Sequence, residues 1–297
     1  MGTLSKNRAL FFILVAGLAV RIFLIIFFRD HRPLFYDADS REYIALAENM
    51  RLGHGFSWDS AEPYYPNSFR TPVYPGFLFL SRFLFGSYTA ALVIQSFLVI
   101  LSACLLYLIG KEYFNRKIAL WSAGIFLFVP FSLNVSVKFL TQTLFAFILI
   151  LSVWSWTKFL KSQNKKYFLL TSFLLPILAL TRPIAQYIPA VFIFSLACAA
   201  YLKQINLSLG RLFKLSGIML GIFLAISLPW LVRNYKTFGV FEFSSIVPYQ
   251  LYFYELPDTY AMAKGISYHE AGDFLKKEID DYSNNYDFGR YMEFSSR

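Results

Sequence analysis

Long apolar segments recur along this chain, and they constrain its fold more than any other feature. The first, Ala9–Phe28, follows Lys6 and Arg8 and holds about 20 residues, enough for a helix to cross a bilayer. No small-residue cleavage site follows it, so we interpret it as an uncleaved signal anchor. Further runs of this kind are Ser87–Ile109, Ile118–Leu133, Val137–Trp156, Tyr167–Leu180, Pro183–Leu202 and Leu212–Val232.

The composition indicates the same class of protein. Hydrophobic residues make up 57% of the 297 residues and charged residues 15%, whereas a soluble domain is about 45–50% apolar and about 25% charged. One water-soluble core cannot bury so much apolar surface, so we predict an all-α integral membrane protein, a bundle of about seven spans. The net charge of +10 comes from basic residues dispersed over short loops, which favours a membrane topology over nucleic-acid binding.

A shorter apolar run, Val73–Phe85, is predicted to be an interfacial or re-entrant helix because about 13 residues do not span comfortably. With this run kept from crossing, the hydrophilic segments alternate between two faces. One face receives twelve Lys and Arg residues and a single acid, Glu112, and the other receives the remaining 17 acids. Because short basic loops mark the cytoplasmic side, we expect a protein of the cytoplasmic membrane with its N-terminus inside.

This topology divides the chain into two parts. Residues 1–232 are predicted to form a transmembrane domain, in which residues 29–86 supply an outer loop and the re-entrant helix. Residues 233–297 are predicted to form an outward-facing tail that contains a helix at Tyr268–Tyr282.

The outer loop Arg29–Thr71 is much longer than a turn between spans requires, which makes it the first place to look for chemistry. Within it, Ser40–Leu52 is predicted to be an amphipathic helix, with Tyr43 and Ala47 on one face and Gly53 ending it. The loop carries seven carboxylates: Asp30, Asp37, Asp39, Glu42, Glu48, Asp59 and Glu62.

Asp39 has two interpretations. Asp39 or Ser40 is a natural N-cap of the predicted helix, but a carboxylate at the water–lipid boundary can also accept a proton from a hydroxyl. His54 and Asp59 could accept a proton in the same way, although His54 between two glycines is typical of a solvated turn.

The predicted topology brings basic and polar groups from distant parts of the chain to the same outer boundary. Arg182 could hold a phosphate with its planar fork, or extend to the lipid headgroups from a helix end. Arg21 lies within the first span and requires a partner or a cavity that the sequence does not name. The other groups at this boundary are Asp37, Asp39, Arg70, Thr141, Gln142, Thr143, Trp230, Arg233 and Asn234.

These residues stand in a recognisable order. The successive motifs are Asp37-Ala-Asp39-Ser-Arg-Glu-Tyr43, Gly53-His54-Gly55-Phe56, Arg70-Thr-Pro72-Val-Tyr74-Pro75, Leu140-Thr141-Gln142-Thr143, Leu180-Thr181-Arg182-Pro183 and Pro229-Trp230-Leu-Val-Arg233-Asn234. The ordered set resembles the polytopic glycosyltransferases of the GT-C fold. The nearest branch is the bacterial one related to protein O-mannosyltransferases and to the aminoarabinose transferase of lipid A.

The resemblance implies an enzyme that moves a sugar from a polyprenyl-phosphate donor to an acceptor outside the cytoplasmic membrane, usually with inversion. An acid of the first outer loop is the catalytic base in that family, and Asp39 matches it best, with Asp37 second. Arg182 would lie near the donor phosphate, together with Arg70 or Arg233. The acceptor is a lipid, a glycan or a protein. Predicted substrate contacts, taken from the same motifs, are Tyr43, Tyr74, Gln142 and His54.

The chain departs from the family pattern in two places. Many relatives carry Glu where this chain has Gln142, and a divalent metal assists in some relatives, so the loss of that carboxylate weakens the case for a metal. We therefore assign no metal ligands and leave the cofactor open, with a divalent cation as the candidate. Relatives also continue for several spans, and Asn284–Arg297 resembles the segment that leads into the next one, so we expect a truncated sequence.

Two other functions fit parts of the pattern. A flippase or transporter for lipid-linked sugars would explain the spans and the buried arginines, although no inverted repeat is visible. A non-catalytic membrane scaffold would bind a partner through the outer loop. Covalent transfer from a polyprenyl-phosphate sugar separates the enzyme from both.

Overall fold

The computed structural model describes residues 2–28 and 35–283, with side chains described for 8–28 and 35–278. Its regular structure is helical and the described part contains no strand, which confirms the all-α prediction. Asp30 and the predicted lead-in segment Asn284–Arg297 lie outside the described residues. The helices are α1 Gly2–Phe27, α2 Ala38–Leu52, α3 Val73–Phe85, α4 Thr89–Tyr113, α5 Arg116–Phe128, α6 Pro130–Ser136, α7 Gln142–Ser162, α8 Lys165–Ala179, α9 Ile188–Tyr201, α10 Leu209–Phe238, α11 Ile246–Gln250, α12 Leu256–Lys264 and α13 Tyr268–Ser283.

The number of helices that can span a membrane is smaller than predicted. In the described part, α1, α4, α7 and α10 are long and apolar enough, as is α9 with the 3₁₀ turn Pro183–Tyr187 that precedes it. The bent pair α5–α6 makes a sixth candidate. The predicted span Tyr167–Leu180 lies in α8, which has 15 residues and is therefore about 22 Å long.

Contacts between loops nevertheless place the ends of α8 at opposite ends of the bundle. Leu180, just beyond α8, accepts a hydrogen bond from the N–H of Val73 at the start of α3. At the other end, α8 follows α7 after two residues, and Lys158 of α7 pairs with Glu112 of α4 at 2.8 Å. Helix α8 thus runs from the end of the bundle near the Lys158–Glu112 pair to the end that carries α3.

Helix α3 stays at one end of the bundle. It runs from Val73 to Phe85, the predicted bounds, and Gly86 ends it in the left-handed conformation at φ 68°. Tyr88, which follows, donates a 2.6 Å hydrogen bond to Glu48 of α2. Both ends of α3 therefore lie beside the first loop, as expected of a helix that does not cross.

Arg21 finds its partners at a break between α5 and α6. The two helices are bent by 53°, at Val129 and Pro130, because proline has no N–H to continue the helical ladder. The buried guanidinium of Arg21 donates to the carbonyls of Leu127 and Gly17, both at 2.9 Å. It also donates to the hydroxyls of Ser132 and Ser136. Arg21 thus joins α1 to the bend through neutral acceptors.

Separate groups of buried apolar side chains fill the bundle. The largest joins α7, α8, α9 and α10 around Phe159, Leu175 and Leu196. A second packs α2 and α3 against α4 around Tyr43, Tyr74 and Leu78. This second group supports the loop that carries the candidate site.

Candidate functional site

The first turn of α2 is fixed by Asp37. Its carboxylate accepts from the N–H of Ala38 at 3.0 Å, while the Ser40 hydroxyl accepts from the N–H of Asp37 at 2.9 Å, which is a capping box. The prediction that Asp39 or Ser40 caps this helix is therefore wrong: the cap is Asp37, and α2 begins at Ala38. As a result Asp39 lies inside the first turn, with its carboxylate free of the capping role.

Asp39, Glu42 and Tyr43 project toward Arg70 from successive turns of α2. Residues three and four apart share one face of a helix, so the spacing aims all three side chains at one partner. Arg70 donates to Asp39 Oδ1 at 2.7 Å and to Glu42 Oε2 at 2.6 Å, and its third contact is the Tyr43 hydroxyl at 3.3 Å. One guanidinium fork therefore holds two carboxylates and a phenol.

The surroundings of Arg70 fix its position before any ligand arrives. The guanidinium lies 4.9 Å from the ring centroids of both Tyr43 and Phe69, a favourable geometry for a cation. Its backbone N–H donates to the side chain of Asn67 at 2.9 Å. The Arg70 side chain is 7% exposed, whereas Asp39 keeps 50% of its side chain exposed.

Burial raises the pKa of Glu42, although the charge and hydrogen bond of Arg70 oppose this rise. Asp37 behaves oppositely: the hydrogen bond from Ala38 and the bond and charge of Lys138 lower its pKa. Lys138 lies 3.4 Å from Asp37. Of the two predicted candidates for the base, Asp39 and Asp37, it is therefore Asp37 that is bound to a helix end and a lysine.

Asp39 and Glu42 face a cavity of about 610 Å³, a size within the range of small-molecule sites. One wall belongs to the first loop and α2. The opposite wall belongs to the tail, at α11 and the π-helical turn Leu251–Glu255 that follows it. The lining residues are Asp39, Glu42, Trp58, Phe69, Arg70, Ile246, Tyr249, Gln250, Tyr254 and Glu255.

The tail is held to the loop by hydrogen bonds between two short segments. The N–H of Ser245 donates to the carbonyl of Ser68 at 3.1 Å, and the two serine hydroxyls lie 2.9 Å apart. Ser244 donates to the carbonyl of Phe69 at 2.6 Å. These contacts bring residues 177 positions apart together, and the sequence carries no periodic signal for them.

Arg182 lies near Tyr43 and does not line the cavity. The turn that carries it is tied to the loop by the hydrogen bond from Thr71 to the carbonyl of Thr181 at 3.1 Å. The guanidinium lies 5.8 Å from the ring of Phe145, and among the described residues no carboxylate pairs with it. Burial raises the pKa of Tyr43, and the charges of Arg70 and Arg182 oppose this rise. The charges of both arginines therefore act on the Tyr43 hydroxyl.

Two predicted substrate contacts, Tyr74 and Gln142, lie outside the cavity lining. The Tyr74 hydroxyl donates to Gln95 at 2.7 Å, and its ring packs edge-on against Tyr43 at 5.0 Å. Gln142 begins α7, and its buried Oε1 has no hydrogen-bond partner within the described ranges. Neither residue lines the cavity, so their roles as substrate contacts stay predictions.

His54 and Arg233 hold the loop together. The His54 ring stacks on Tyr64 at 4.0 Å, and Arg233 donates to the backbone carbonyl of Asn67 at 2.7 Å. Arg233 also donates to Asn234 at 2.8 Å. Neither side chain lines the cavity, and the phosphate-binding role of Arg233 stays a prediction.

The carboxylates of Asp37, Asp39 and Glu42 are engaged with cations, and a divalent metal as cofactor stays a prediction. Asp39 and Glu42 are both bound to Arg70, and Asp37 is bound to the helix end and Lys138. In the part of the chain that is described, no group of three or more His, Cys, Asp or Glu residues is placed to hold a metal ion.

Comparison with known proteins identifies one family. The family model described as dolichyl-phosphate-mannose-protein mannosyltransferase matches residues 69–232, just over half of the chain. No curated protein and no solved structure matches the chain. The matched region contains Arg70 and Arg182, whereas Asp39 and the tail residues of the cavity lie outside it.

Proposed function

Since the chain belongs to the dolichyl-phosphate-mannose-protein mannosyltransferase family of membrane glycosyltransferases, we propose that it transfers a sugar from a polyprenyl-phosphate donor to an acceptor hydroxyl, with Asp39 as the general base. The observation that carries this proposal is the arrangement of Asp39. Arg70 holds one carboxylate oxygen, and the half-exposed side chain faces a cavity large enough for an acceptor.

Asp39 is better placed than its neighbours to accept a proton. Within the described residues its one hydrogen bond involves Oδ1, which leaves Oδ2 for the acceptor hydroxyl. Asp37 has a lowered pKa and is bound to Lys138 and its own helix, which makes it the weaker base. Glu42 is bound to the same guanidinium, and its side chain is 34% exposed, less than that of Asp39. Fixing one oxygen while leaving the other free orients the base without occupying it.

The donor phosphate is assigned to Arg182. This cation has no carboxylate partner among the residues described, and its charge acts on Tyr43, which also contacts Arg70. A guanidinium binds phosphate oxygens in a bidentate manner and stabilises charge on the leaving phosphate. Arg70 is already neutralised by Asp39 and Glu42, so it acts as a positioning residue for the base.

In this arrangement the acceptor oxygen attacks the anomeric carbon while the bond from that carbon to the phosphate oxygen breaks. The acceptor proton passes to Asp39, and the bonding electrons leave with the polyprenyl phosphate. Attack from the face opposite the phosphate inverts the anomeric centre. No nucleotide is consumed, because the donor already contains the activated bond.

The test compares two aspartates that share one helix end. Asp39→Asn is expected to lower transfer from polyprenyl-phosphate mannose by about 10²–10⁴-fold, the contribution of a general base. Asp37→Asn is the matched control, because asparagine also caps helices and should keep most of the activity. Radiolabelled transfer is measured in membranes with equal amounts of protein. Near-normal transfer by Asp39→Asn would remove Asp39 from the mechanism.

We further propose that the end of the bundle with the cavity faces away from the cytoplasm. The support is the charge at the opposite end, where Lys158 and Lys161 pair with Glu112 and basic residues dominate the loops. A membrane-impermeant thiol reagent is expected to label Glu62→Cys in intact cells and to label Lys165→Cys after lysis. The reverse pattern would overturn the orientation.

A further inference from the structure

The cavity beside Asp39 is aromatic on both walls. Trp58 and Phe69 belong to the loop, and Tyr249 and Tyr254 belong to the tail. Tyr249 is held edge-on against Phe69, with 5.2 Å between ring centroids, and Trp58 lies 6.0 Å from Phe69. The electron-rich face of an aromatic ring attracts weakly positive C–H groups that lie flat against it. Sugar rings offer such C–H faces, together with hydroxyls at their edges.

The charge of the cavity selects among acceptors. Three carboxylates line it, from Asp39, Glu42 and Glu255, against the one cation Arg70. Arg70 is bound to two of these carboxylates, so the cavity carries an excess of negative charge. An anionic acceptor would be repelled, whereas carboxylates and the Gln250 amide accept hydrogen bonds from neutral hydroxyls.

The parts of the chain that build this cavity lie mostly outside the family match. Phe69 and Arg70 are inside the matched residues 69–232, and the other lining residues come before or after them. Arg182, the assigned phosphate partner, is inside the match. Eight of the ten lining residues thus come from segments outside the matched region.

We infer that the cavity is the acceptor site and that it takes an uncharged glycan, bound between the aromatic side chains with one hydroxyl directed at Asp39. This inference rests on the proposed function and adds the chemical class of the acceptor. The reaction forms a glycosidic bond to that hydroxyl, its proton goes to Asp39, and polyprenyl phosphate leaves.

Binding of defined probes tests the inference. The full chain is placed in nanodiscs, and saturation-transfer NMR measures three probes: neutral maltotriose, anionic trigalacturonic acid and an uncharged serine-containing hexapeptide. We expect binding of maltotriose and at least tenfold weaker binding of the other two. Equal or tighter binding of the acid or the peptide overturns the inference, as does failure of all three probes to bind.

Two pairs of variants locate the binding. Tyr249→Ala is expected to weaken maltotriose binding at least tenfold, while Tyr249→Phe, which keeps the ring, retains it. The matched control is Tyr201→Ala, because Tyr201 is 86% exposed and does not line the cavity. Unchanged binding by Tyr249→Ala overturns the assignment.

Glu255 tests the charge argument separately. Glu255→Lys, which replaces a negative charge by a positive one, is expected to improve trigalacturonate binding by up to about fivefold, the effect of an exposed ion pair. Asp273→Lys, an exposed site on α13 outside the cavity, should leave it unchanged. No change with Glu255→Lys argues against the acidic cavity as the selector.

Donor cleavage distinguishes the failure of this inference from failure of the proposed function. Release of mannose to water from polyprenyl-phosphate mannose needs no glycan, so Tyr249→Ala should retain it, whereas Asp39→Asn should lose it. If wild-type protein neither cleaves nor transfers the donor, the proposed function fails. If the wild-type protein cleaves and transfers the donor but does not bind maltotriose in preference to the other two probes, only the glycan inference fails.

Discussion

Arg70 donates a 2.7 Å hydrogen bond to Asp39 across 31 positions of sequence. The bond joins the residue just before α3 to the first turn of α2, and it sets the direction in which the Asp39 carboxylate points. Glu42 occupies the Nε side of the same guanidinium at 2.6 Å. In the proposed mechanism this relationship makes Arg70 the support of the base.

Arg70→Met is expected to lower kcat by about 10²-fold, the cost of a slightly misplaced catalytic group. The KM for the donor should change little, because the proposed partner of the phosphate is Arg182. The free energy of unfolding should fall by about 1–3 kcal/mol as the carboxylates lose their partner. Arg70→Lys should recover part of kcat, since an ammonium keeps the charge but lacks the fork. Steady-state kinetics and thermal unfolding measure both effects.

The control for this prediction is Arg51→Met. Arg51 pairs with Glu48 on the outer part of α2, away from the cavity, and its side chain is 36% exposed. It should keep wild-type kcat. A large rise in donor KM for Arg70→Met with unchanged kcat would assign Arg70 to the phosphate instead.

Arg182→Ala is expected to lower kcat/KM for the donor by about 10²-fold, because the leaving phosphate loses a stabilising cation. Stability should change little, since no carboxylate in the described part of the chain pairs with this side chain. Arg211→Ala serves as the control because Arg211 is exposed at the start of α10. A loss of folded protein without a change in donor kinetics would contradict the phosphate role.

Local signals account for the helices that the sequence predicts well. The bounds of α3, Val73 and Phe85, follow from an apolar run that is ended by Gly86, which adopts φ 68°. Helix α2 ends before Gly53 for the same reason, at φ 84°. Its start is harder to predict, because Asp37, Asp39 and Ser40 are all good caps and the choice depends on which backbone N–H groups are left unpaired.

Apolar character alone does not separate a helix from a buried connection. The predicted span from Val137 begins as a helix at Gln142, because the intervening residues form a packed turn. There Phe139 donates its N–H to the carbonyl of Phe35 at 3.2 Å. The Arg70–Glu42 contact and the tail wall around Tyr249 depend on tertiary packing between distant segments, so no periodicity in the sequence indicates them.

The lowered pKa of Glu48 predicts that part of the free energy of unfolding is lost in acid. Hydrogen bonds from Arg51 and Tyr88 lower its pKa from 4.5 to about 2. A carboxyl whose pKa is lowered on folding stabilises the protein above its unfolded pKa, and this stabilisation is lost as the pH falls from about 4.5 toward 2. Because a third of the side chain is exposed, the effect should stay below about 1 kcal/mol.

Thermal unfolding between pH 6 and pH 3 measures this contribution. Glu48→Gln should show a shallower loss of stability on acidification than the wild type. Tyr88→Phe, which removes one of the donors, should lie between the two. Parallel pH profiles for wild type and Glu48→Gln would show that the interactions of Glu48 do not contribute.

The hydrogen bonds of Arg21 predict that its substitution lowers stability without changing the reaction. Arg21→Met leaves buried acceptors at Leu127, Ser132 and Ser136 without their donor, and each unsatisfied group costs about 1–3 kcal/mol. We expect a lower melting temperature in detergent and unchanged kcat for the protein that remains folded, because Arg21 does not line the cavity. Arg8→Met is the matched control, since Arg8 is exposed on the same helix. Equal melting temperatures for the two variants would mean that the bend between α5 and α6 holds without this side chain, and a loss of kcat in the folded fraction would place Arg21 in the reaction.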